Sequence, residues 1–264
     1  MDNTKILKYD KLIMSAFPDY VAAVSNGKTG LVSLDNKILC DFIYDDLSEF
    51  KTDQILYNDN YCIMRLNGKW GIIDILGNTI IDFKFDEPIR VKQHNNHKII
   101  KLNNCGIVDN DWHIVVECKY DKISYIDFNY IYEIKNKKGL MDLQGRTLTE
   151  PVFDSLIQYD GISGKRFYIA RLGDTTGIID SSGKKIIDFI YKKINIFTSA
   201  DEYFVVQKEN CKKYGVINVK NEIIMECEYD EIEVLKDYQR QDIFFHCKKA
   251  ETEFLFSRKE FKIS

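Results

Sequence analysis

The stretch from Gly68 to Asp86 reads GKWGIIDILGNTIIDFKFD, and it contains the pattern that decides the fold. A tight Asn67-Gly68 turn precedes its first apolar run, and its second apolar run ends in an aromatic residue and an acid. Asn-Gly between two apolar runs is typical of a β-hairpin. The stretch therefore predicts short antiparallel strands over Lys69–Ile75 and Thr79–Phe85.

The same pattern recurs six times along the 264 residues. Each copy is anchored by a glycine in its first apolar run, and the anchors are Gly30, Gly71, Gly106, Gly139, Gly177 and Gly215. An aromatic residue always follows fourteen positions later, at Tyr44, Phe85, Tyr120, Phe153, Tyr191 and Tyr229. An acid always follows eleven positions later, at Asp41, Asp82, Glu117, Glu150, Asp188 and Glu226. Repeats of about 38 residues indicate a solenoid, a propeller or another array.

Each repeat divides into four short strands, which we label A to D. In the second repeat they are predicted at Tyr61–Leu66, Lys69–Ile75, Thr79–Phe85 and Pro88–Val91. No segment shows a helical period over eleven residues. Four strands in about 38 residues match the blade of a β-propeller, so we expect an all-β fold.

The two ends of the sequence suggest how the array is completed. Tyr9–Leu12 resembles the end of a repeat, and residues 242–264 resemble the beginning of one, with Glu253 in place of the anchor glycine. A seventh repeat shared by residues 242–264 and 5–16 would remove open sheet edges. We therefore expect a seven-bladed β-propeller with a composite last blade, forming a single domain over residues 1–264. An open β-repeat array is the alternative.

The residues of this pattern also carry a family resemblance. Gly68-Lys69-Trp70-Gly71-Ile72-Ile73-Asp74 resembles the core of the bacterial WG-repeat (KWG) proteins, and the resemblance covers the chain from about residue 6 to 264. Tryptophan precedes the anchor glycine only at Trp70, while the other repeats have Thr29, Cys105, Lys138, Thr176 and Tyr214. The resemblance implies a repeat scaffold and little more about function.

The shared positions are explained best by structural duties. The anchor glycine fits a positive φ, a β-bulge or close packing between blades. Three residues after it stand short side chains that bond turn amides, at Ser33, Asp74, Asp109, Asp142, Asp180 and Asn218. The acids at the eleventh position are expected to hold the fold, and a ring of carboxylates around a divalent cation is the alternative.

Composition excludes several classes of protein. A formal net charge of −4 argues against binding to nucleic acid. The charged start of the chain is not a signal peptide, and no apolar run is long enough to span a membrane. Seven cysteines without a C-x-x-C spacing indicate reduced, buried thiols. These features predict a cytoplasmic protein, and the WG-repeat resemblance implies a bacterial one.

No catalytic signature is found. The motifs of zinc proteases, nucleophile elbows and phosphate-binding loops are absent from the sequence. His94 and His97 have a metal-like spacing, but they are more typical of a solvated loop than of half a zinc site. The prediction is that the protein is not an enzyme and uses no cofactor and no metal.

The repeats differ most in the connections between strand D and the next strand A, so partner contacts are sought there. The candidates are Tyr57, Asp160, Lys165, Arg166, Tyr238 and Arg240. Tyrosine and arginine are common anchors of protein contacts. We expect an interaction scaffold that binds another protein through loops on one face. A propeller that binds a small ligand or a glycan is the alternative, and a hydrolase or lyase is a third possibility.

Overall fold

The fold is given by a computed structural model of the chain. It describes residues 8–13, 20–45, 61–94, 96–160, 166–196, 203–209, 211–237 and 242–260. Contacts divide the chain into two compact units, residues 1–123 and 124–264, which are considered separately below. The described residues contain 25 strands and one short 3-10 helix at Arg258–Glu260, with no α-helix, so the all-β prediction is confirmed.

The strands form seven strand sets, which we number along the chain. Set 1 is β1 (Lys11–Ile13), β2 (Tyr20–Ser25), β3 (Lys28–Ser33) and β4 (Ile38–Tyr44). Set 2 is β5 (Tyr61–Leu66), β6 (Lys69–Asp74) and β7 (Thr79–Phe85). Set 3 is β8 (Arg90–His94), β9 (His97–Lys101), β10 (Cys105–Asp109) and β11 (Ile114–Tyr120). Set 4 is β12 (Lys122–Ile126), β13 (Asn129–Ile134), β14 (Lys137–Asp142) and β15 (Thr147–Phe153). Sets 5 and 6 share β19 and comprise β16 (Ser155–Asp160), β17 (Arg166–Leu172), β18 (Thr175–Asp180), β19 (Lys185–Ile196), β20 (Tyr203–Lys208), β21 (Tyr214–Asn218) and β22 (Ile223–Tyr229). Set 7 is β23 (Glu231–Asp237), β24 (Asp242–Lys249) and β25 (Thr252–Ser257).

Every set is an antiparallel meander; five sets have strands in the order D, A, B, C, while the described residues give A, B and C in set 2 and D, A and B in set 7. Strand D therefore pairs with strand A of the next repeat, as β8 pairs with β9 and β12 stands beside β13. The sheets are thus offset by one strand from the sequence repeats. Between sets 5 and 6 the chain does not break, because the twelve residues of β19 serve as strand C of one set and strand D of the next.

The anchor glycines stand at a bulge between strands B and C. The register shifts at each of them, as between Trp70 and Ile72 opposite β7. A Cβ on Gly71 would lie 2.7 Å from the carbonyl oxygen of Ile81, and the other anchors meet the same strand C carbonyl at 2.5–2.8 Å. None of the six anchors has a positive φ. Of the three sequence explanations, the structure therefore selects the bulge, and the close approach occurs within one set rather than between blades.

The cores lie between consecutive sets. In the first unit, Leu31 and Tyr44 of set 1 share a buried cluster with Met64 and Ile73 of set 2. In the second unit, one cluster joins set 4 to set 5, another joins set 5 to set 6, and a third joins set 6 to set 7. Five of the six repeated aromatics are at least nine-tenths buried in these layers, and Phe85 is half-buried. The repeated aromatic is therefore a core position.

An aspartate placed directly after strand C links consecutive sets. Asp45 Oδ2 accepts the N–H of Gly68 in the A–B turn of set 2 at 2.8 Å, while Oδ1 binds the Lys28 ammonium of its own set at 2.7 Å. The same pair of contacts recurs at Asp154, with Gly173 and Lys137, and at Asp230, with Ala250 and Lys213. We call this arrangement the aspartate clamp.

The first described residues repeat the contacts seen between other sets, and at the other end of the chain one predicted anchor position is corrected. Asp10 donates its N–H to Val24 and accepts that of Gly27, and Tyr9 stacks on Phe42 at 5.7 Å. These residues therefore occupy, at set 1, the place that the end of a preceding strand C occupies elsewhere. In set 7, Cys247 pairs with Phe254, so the anchor position is Phe254 and the prediction of Glu253 is wrong by one residue. Residues 1–7, 14–19 and 261–264, which belong to the predicted composite repeat or flank it, lie outside the described residues.

Candidate binding cleft

Two of the six predicted contact residues are described, and they lie together. Asp160 ends β16 and Arg166 begins β17, and their side chains form an ion pair with Arg166 Nε 3.1 Å from Asp160 Oδ1. Four other candidates lie outside the described residues, namely Tyr57, Lys165, Tyr238 and Arg240. The described pair stands on the D–A hairpin of set 5, in the kind of connection where partner contacts were sought.

Arg166 also reaches the D–A hairpin of set 4. Its guanidinium carbon lies 4.0 Å from the ring centre of Phe128, which is 59% exposed. Gln158 strengthens this junction, because its amide nitrogen donates to Asp127 Oδ2 at 2.9 Å and to both oxygens of Asp160. A cation on an aromatic face at a partly exposed site contributes about 0.5–1 kcal/mol. The two hairpins are therefore joined at a surface that presents an arginine and an aromatic ring.

Behind this junction a cleft of about 760 Å³ opens between sets 4, 5 and 6. Its walls combine apolar, polar and charged side chains: Phe128, Leu148, Phe167, Ile186, Val219, Asn129, Ser181, Ser182, Asp142, Arg166 and Asp180. All of them belong to the second unit. The volume lies within the range of about 300–1,000 Å³ that is typical of ligand pockets.

Strand geometry explains why these residues meet. In an antiparallel meander, the D–A hairpins and the B–C turns lie at the same end of the sheet. Asn129 pairs with Asp142 in set 4, and Phe167 pairs with Asp180 in set 5, so each hairpin stands beside the turn of its own set. The cleft is therefore built from the connections that follow strands D and B.

The turn residues in the cleft behave as the sequence predicts. Asp142 Oδ1 accepts the N–H groups of Gln144 and Arg146 at 3.0 and 2.8 Å, and Asp180 Oδ1 accepts those of Ser182 and Lys184, both at 2.9 Å. Asp74, Asp109 and Asn218 bond their turns in the same way, and Ser33 Oγ accepts the N–H of Lys37, four residues later. The structural duty proposed for this position is thus confirmed in all six repeats.

The second carboxylate oxygen distinguishes Asp142 from Asp180. Asp142 Oδ2 accepts the Arg146 Nε at 2.6 Å. Partial burial acts to raise the pKa of Asp142, but the Arg146 N–H and guanidinium and the Gln144 N–H outweigh it and lower the pKa. Asp180 Oδ2 accepts no hydrogen bond from the described residues, and Lys184, which stands where Arg146 stands in set 4, forms no ion pair with it there.

The floor of the cleft is fixed by a buried polar network. Asn129 is 4% exposed; its amide nitrogen donates to the Ser181 carbonyl at 3.2 Å, and its Oδ1 accepts the Tyr168 hydroxyl at 3.2 Å. Burial raises the pKa of Tyr168 to about 12, so the hydroxyl remains protonated and able to donate. These bonds tie the hairpin of set 4 to the turn of set 5 and hold the cleft walls in place.

Other predicted polar positions lie elsewhere. Five of the six acids at the eleventh position are exposed and Asp188 is half-buried, paired with Lys185 and Asn221. Among the described residues, one group of side chains could share a metal ion: Asp109, Asp111 and His113. Asp109 already bonds the backbone of its own turn, so this group is explained as a turn. His94 and His97 pair across the β8–β9 hairpin.

Sequence reasoning missed Phe128, Asn129 and the role of Ser181 and Ser182. The signal was weak, because Asp127-Phe128-Asn129 looks like a short turn between two apolar runs. An exposed aromatic at such a turn becomes meaningful only when a neighbouring set places Arg166 against it. The seven cysteines are all free, four buried and three half-buried, as expected for structural thiols. Of the described residues, none forms a helix long and apolar enough to cross a membrane.

Comparison with protein-family models gives matches in three segments. Residues 70–90, 177–210 and 214–237 match the model described as the WG containing repeat. The matched segments begin at strand B of sets 2, 5 and 6, where the sequence pattern predicts the repeat core. No match is found among curated proteins.

Solved structures give only distant likenesses. Dihydro-heme d1 dehydrogenase NirN, solved in complex with DHE, is 10% identical with a TM-score of 0.32 over 96% of this chain, which spans 65% of the NirN chain. Hsv2p of Kluyveromyces lactis is 10% identical with a TM-score of 0.30, covering 94% of this chain and 96% of its own. PorZ of Porphyromonas gingivalis is 11% identical with a TM-score of 0.28, covering 96% and 45%.

Proposed function

We propose that the chain is a non-enzymatic scaffold of WG repeats that binds another protein through the cleft between sets 4, 5 and 6, and the match of three segments to one repeat model supports the scaffold. One observation carries the proposal: an exposed Phe128 with Arg166 stacked on it at the rim of a large cleft. Aromatic and arginine side chains beside a concavity are the usual energetic centres of protein interfaces.

The construction of the cleft supports binding rather than catalysis. Its arginine is engaged by Asp160 and Phe128, Asp142 is engaged by Arg146, and the cysteines lie outside its walls. The polar network at Asn129 fixes the walls before any partner arrives, which reduces the entropy lost on binding. We keep the cytoplasm of a bacterium as the proposed setting.

The experiment is affinity capture from the native cell with paired variants. Phe128→Ala and Arg166→Ala should each weaken capture of the same protein by roughly tenfold or more, the usual scale for an interface centre. Leu76→Ala is the matched control, because Leu76 is a 63% exposed apolar residue on a turn of the other unit. Capture that is insensitive to both cleft variants, or equally sensitive to the control, contradicts the proposal.

A glycan or other small ligand remains the second candidate for the same cleft. Sugar rings stack on exposed aromatics, and Phe128 offers such a face on one side only, because Arg166 covers the other. Tyr159, the aromatic next to Asp160, packs against the core between sets 5 and 6 and is less suited to stacking. A glycan array probed with the native protein and with Phe128→Ala separates this candidate from a protein partner.

We further propose that the seven strand sets close into a seven-bladed propeller. The support is the repetition at Tyr9 and Asp10, which provide set 1 with the aromatic stack and the turn contact that a preceding strand C provides elsewhere. It is also supported by β25, the strand B of set 7, where Leu255 is 60% exposed while its counterparts in other sets are buried. In this proposal the residues before Tyr9 complete set 7.

A further inference from the structure

We propose that the cleft recognises a basic side chain, lysine or arginine, on an otherwise apolar segment of the protein partner, with Asp180 as its counter-ion. The inference rests on the proposed function and specifies its ligand. It starts from the charges that line the cleft, namely those of Asp142, Arg166 and Asp180. Two of these three charges already have internal partners.

Of these three charges, Asp180 is the one without an ion pair among the described residues. Arg166 is paired with Asp160, and Asp142 is paired with Arg146 through its second oxygen. Asp180 uses only Oδ1, which accepts the Ser182 N–H and hydroxyl and the Lys184 N–H. Its Oδ2 accepts nothing from the described residues. A half-buried carboxylate oxygen without a donor is stabilised when a cation binds it.

The turn aspartates of the other repeats show that this unbonded second oxygen is specific to Asp180. Asp74 Oδ2 accepts the Asn78 amide at 2.7 Å, and Asp109 Oδ2 contacts the His113 ring at 3.1 Å. In both turns, as in that of Asp142, the side chain four positions later contacts the second carboxylate oxygen. At Asp180 the corresponding residue is Lys184, and it does not do so within the described part of the chain.

The rest of the lining suits the stem of a basic residue and its apolar neighbours. Leu148, Ile186 and Val219 are half-buried side chains of sets 4, 5 and 6, and Phe167 lies behind them. Lysine and arginine bury their alkyl stems on apolar surface while the charged head finds a polar partner. The exposed Ser181 offers a further acceptor beside Asp180.

Arg166 restricts where the cation can bind. Its guanidinium already pairs with Asp160 and covers one face of Phe128 at the hairpin junction, so a second cation is expected at the turn of Asp180 instead. The segment is therefore expected to place its basic residue at the B–C turn of set 5 and an apolar residue against Phe128.

The test uses short synthetic peptides as probes on the full chain. The probe is acetyl-Gly-Leu-Lys-Leu-Gly-amide, compared with the same peptide carrying acetyl-lysine or norleucine, and binding is followed by NMR of the methyl groups of Leu148, Ile186 and Val219. The lysine peptide should shift these methyl signals and should bind roughly tenfold more tightly than the acetyl-lysine peptide. Its affinity should fall as salt rises, because the contact is partly exposed.

Two variants locate the cation. Asp180→Asn keeps the Oδ1 acceptor, and Asn218 fills the same position in set 6 with the same turn bonds, so the fold is expected to persist. It should reduce affinity for the lysine peptide to that of the acetyl-lysine peptide. Asp109→Asn, the same change at a turn outside the cleft, should leave affinity unchanged.

The outcomes separate this inference from the proposed function. Equal binding of lysine and acetyl-lysine peptides, or unchanged affinity in Asp180→Asn, overturns the basic-ligand inference. If the captured native partner depends on Phe128 and Arg166 but not on Asp180, the inference fails while the scaffold function stands. If capture depends on none of the three, the cleft is not the binding site and both proposals fail.

Discussion

Replacing Asp45 with alanine tests whether the aspartate clamp holds consecutive sets together. The side chain makes two contacts: its Oδ2 accepts the Gly68 N–H of set 2 at 2.8 Å, and its Oδ1 binds the Lys28 ammonium at 2.7 Å. The substitution removes both and leaves the bond from the Asp45 N–H to the Arg65 carbonyl intact.

The magnitude follows from the two contacts taken separately. A backbone N–H bound to a carboxylate contributes about 1.5–3 kcal/mol. The ion pair contributes less, about 0.2–1 kcal/mol, because the Lys28 side chain is 46% exposed. Asp45→Ala should therefore lower the free energy of unfolding by about 2–4 kcal/mol. Lys28→Met, which removes the ion pair alone, should cost less than about 1 kcal/mol.

The assay is urea unfolding of the two variants and the native protein, followed by tyrosine fluorescence and circular dichroism. Asp45→Asn is a useful third variant, because the amide oxygen can still accept the Gly68 N–H and the cost should fall between the other two. If Asp45→Ala unfolds at the native urea concentration, or costs no more than Lys28→Met, the contact between sets is not the main stabilising one and the reasoning is refuted.

Acid gives an independent check of the same contact. The Lys28 ammonium, followed by the Gly68 N–H, lowers the pKa of Asp45. A lowered pKa in the folded state means that the stabilisation is complete above the pKa of the unfolded chain, about 4. It is lost as pH falls through the lower pKa of the folded state. The difference in stability between the native protein and Asp45→Ala should therefore shrink in that acid range.

Three further predictions concern other parts of the fold. Gly177→Ala places a Cβ 2.8 Å from the Ile187 carbonyl and should cost about 1–3 kcal/mol in urea unfolding; Gly173→Asn, with a positive φ and open space, should cost little. Deleting residues 1–7 keeps β1 and the Tyr9 stack. If the residues before Tyr9 complete set 7, the deletion should lower the melting temperature by several degrees. An unchanged melting curve favours an open array. Glu253 and then Glu233 raise the pKa of His246, so the stabilisation by this histidine is present below its ordinary pKa and is lost as pH rises through the raised pKa of the folded state. In His246→Gln the melting temperature should therefore depend less on pH over that range. A pH profile identical to that of the native protein argues against the pairing.

The repeat could be predicted from sequence because its strands and turns depend on residues that are close together along the chain. Strands β5 and β7 begin and end where the hairpin pattern places them, and the turn residue at Asp74 bonds the amides that its position predicts. The anchor glycine was located correctly and a bulge was one of its three explanations, but choosing among them requires the register of strand C. The clamp at Asp45 was also hidden, because its partner at Gly68 lies 23 residues away in another set.

The cleft was much less predictable. Asp160 and Arg166 could be suspected from their hairpin, but Phe128 gains meaning only through a neighbour 38 residues along the chain. The anchor of set 7 was misplaced because that set has no glycine to count from, and pairing of Cys247 with Phe254 is a matter of register. Such features depend on which sets become neighbours, and a linear pattern does not record that.

The aspartate clamp has a consequence for how such a chain can change its length. Three such joints are described, and each is made by the residue after strand C of one set and the A–B turn of the next. A tandem duplication of the 38 residues from Gly139 to Thr176 would keep the Asp154 carboxylate and the Gly173 N–H together in each copy. A whole-module duplication thus preserves the hydrogen bond between sets, whereas an insertion that ends between these two residues would separate donor from acceptor.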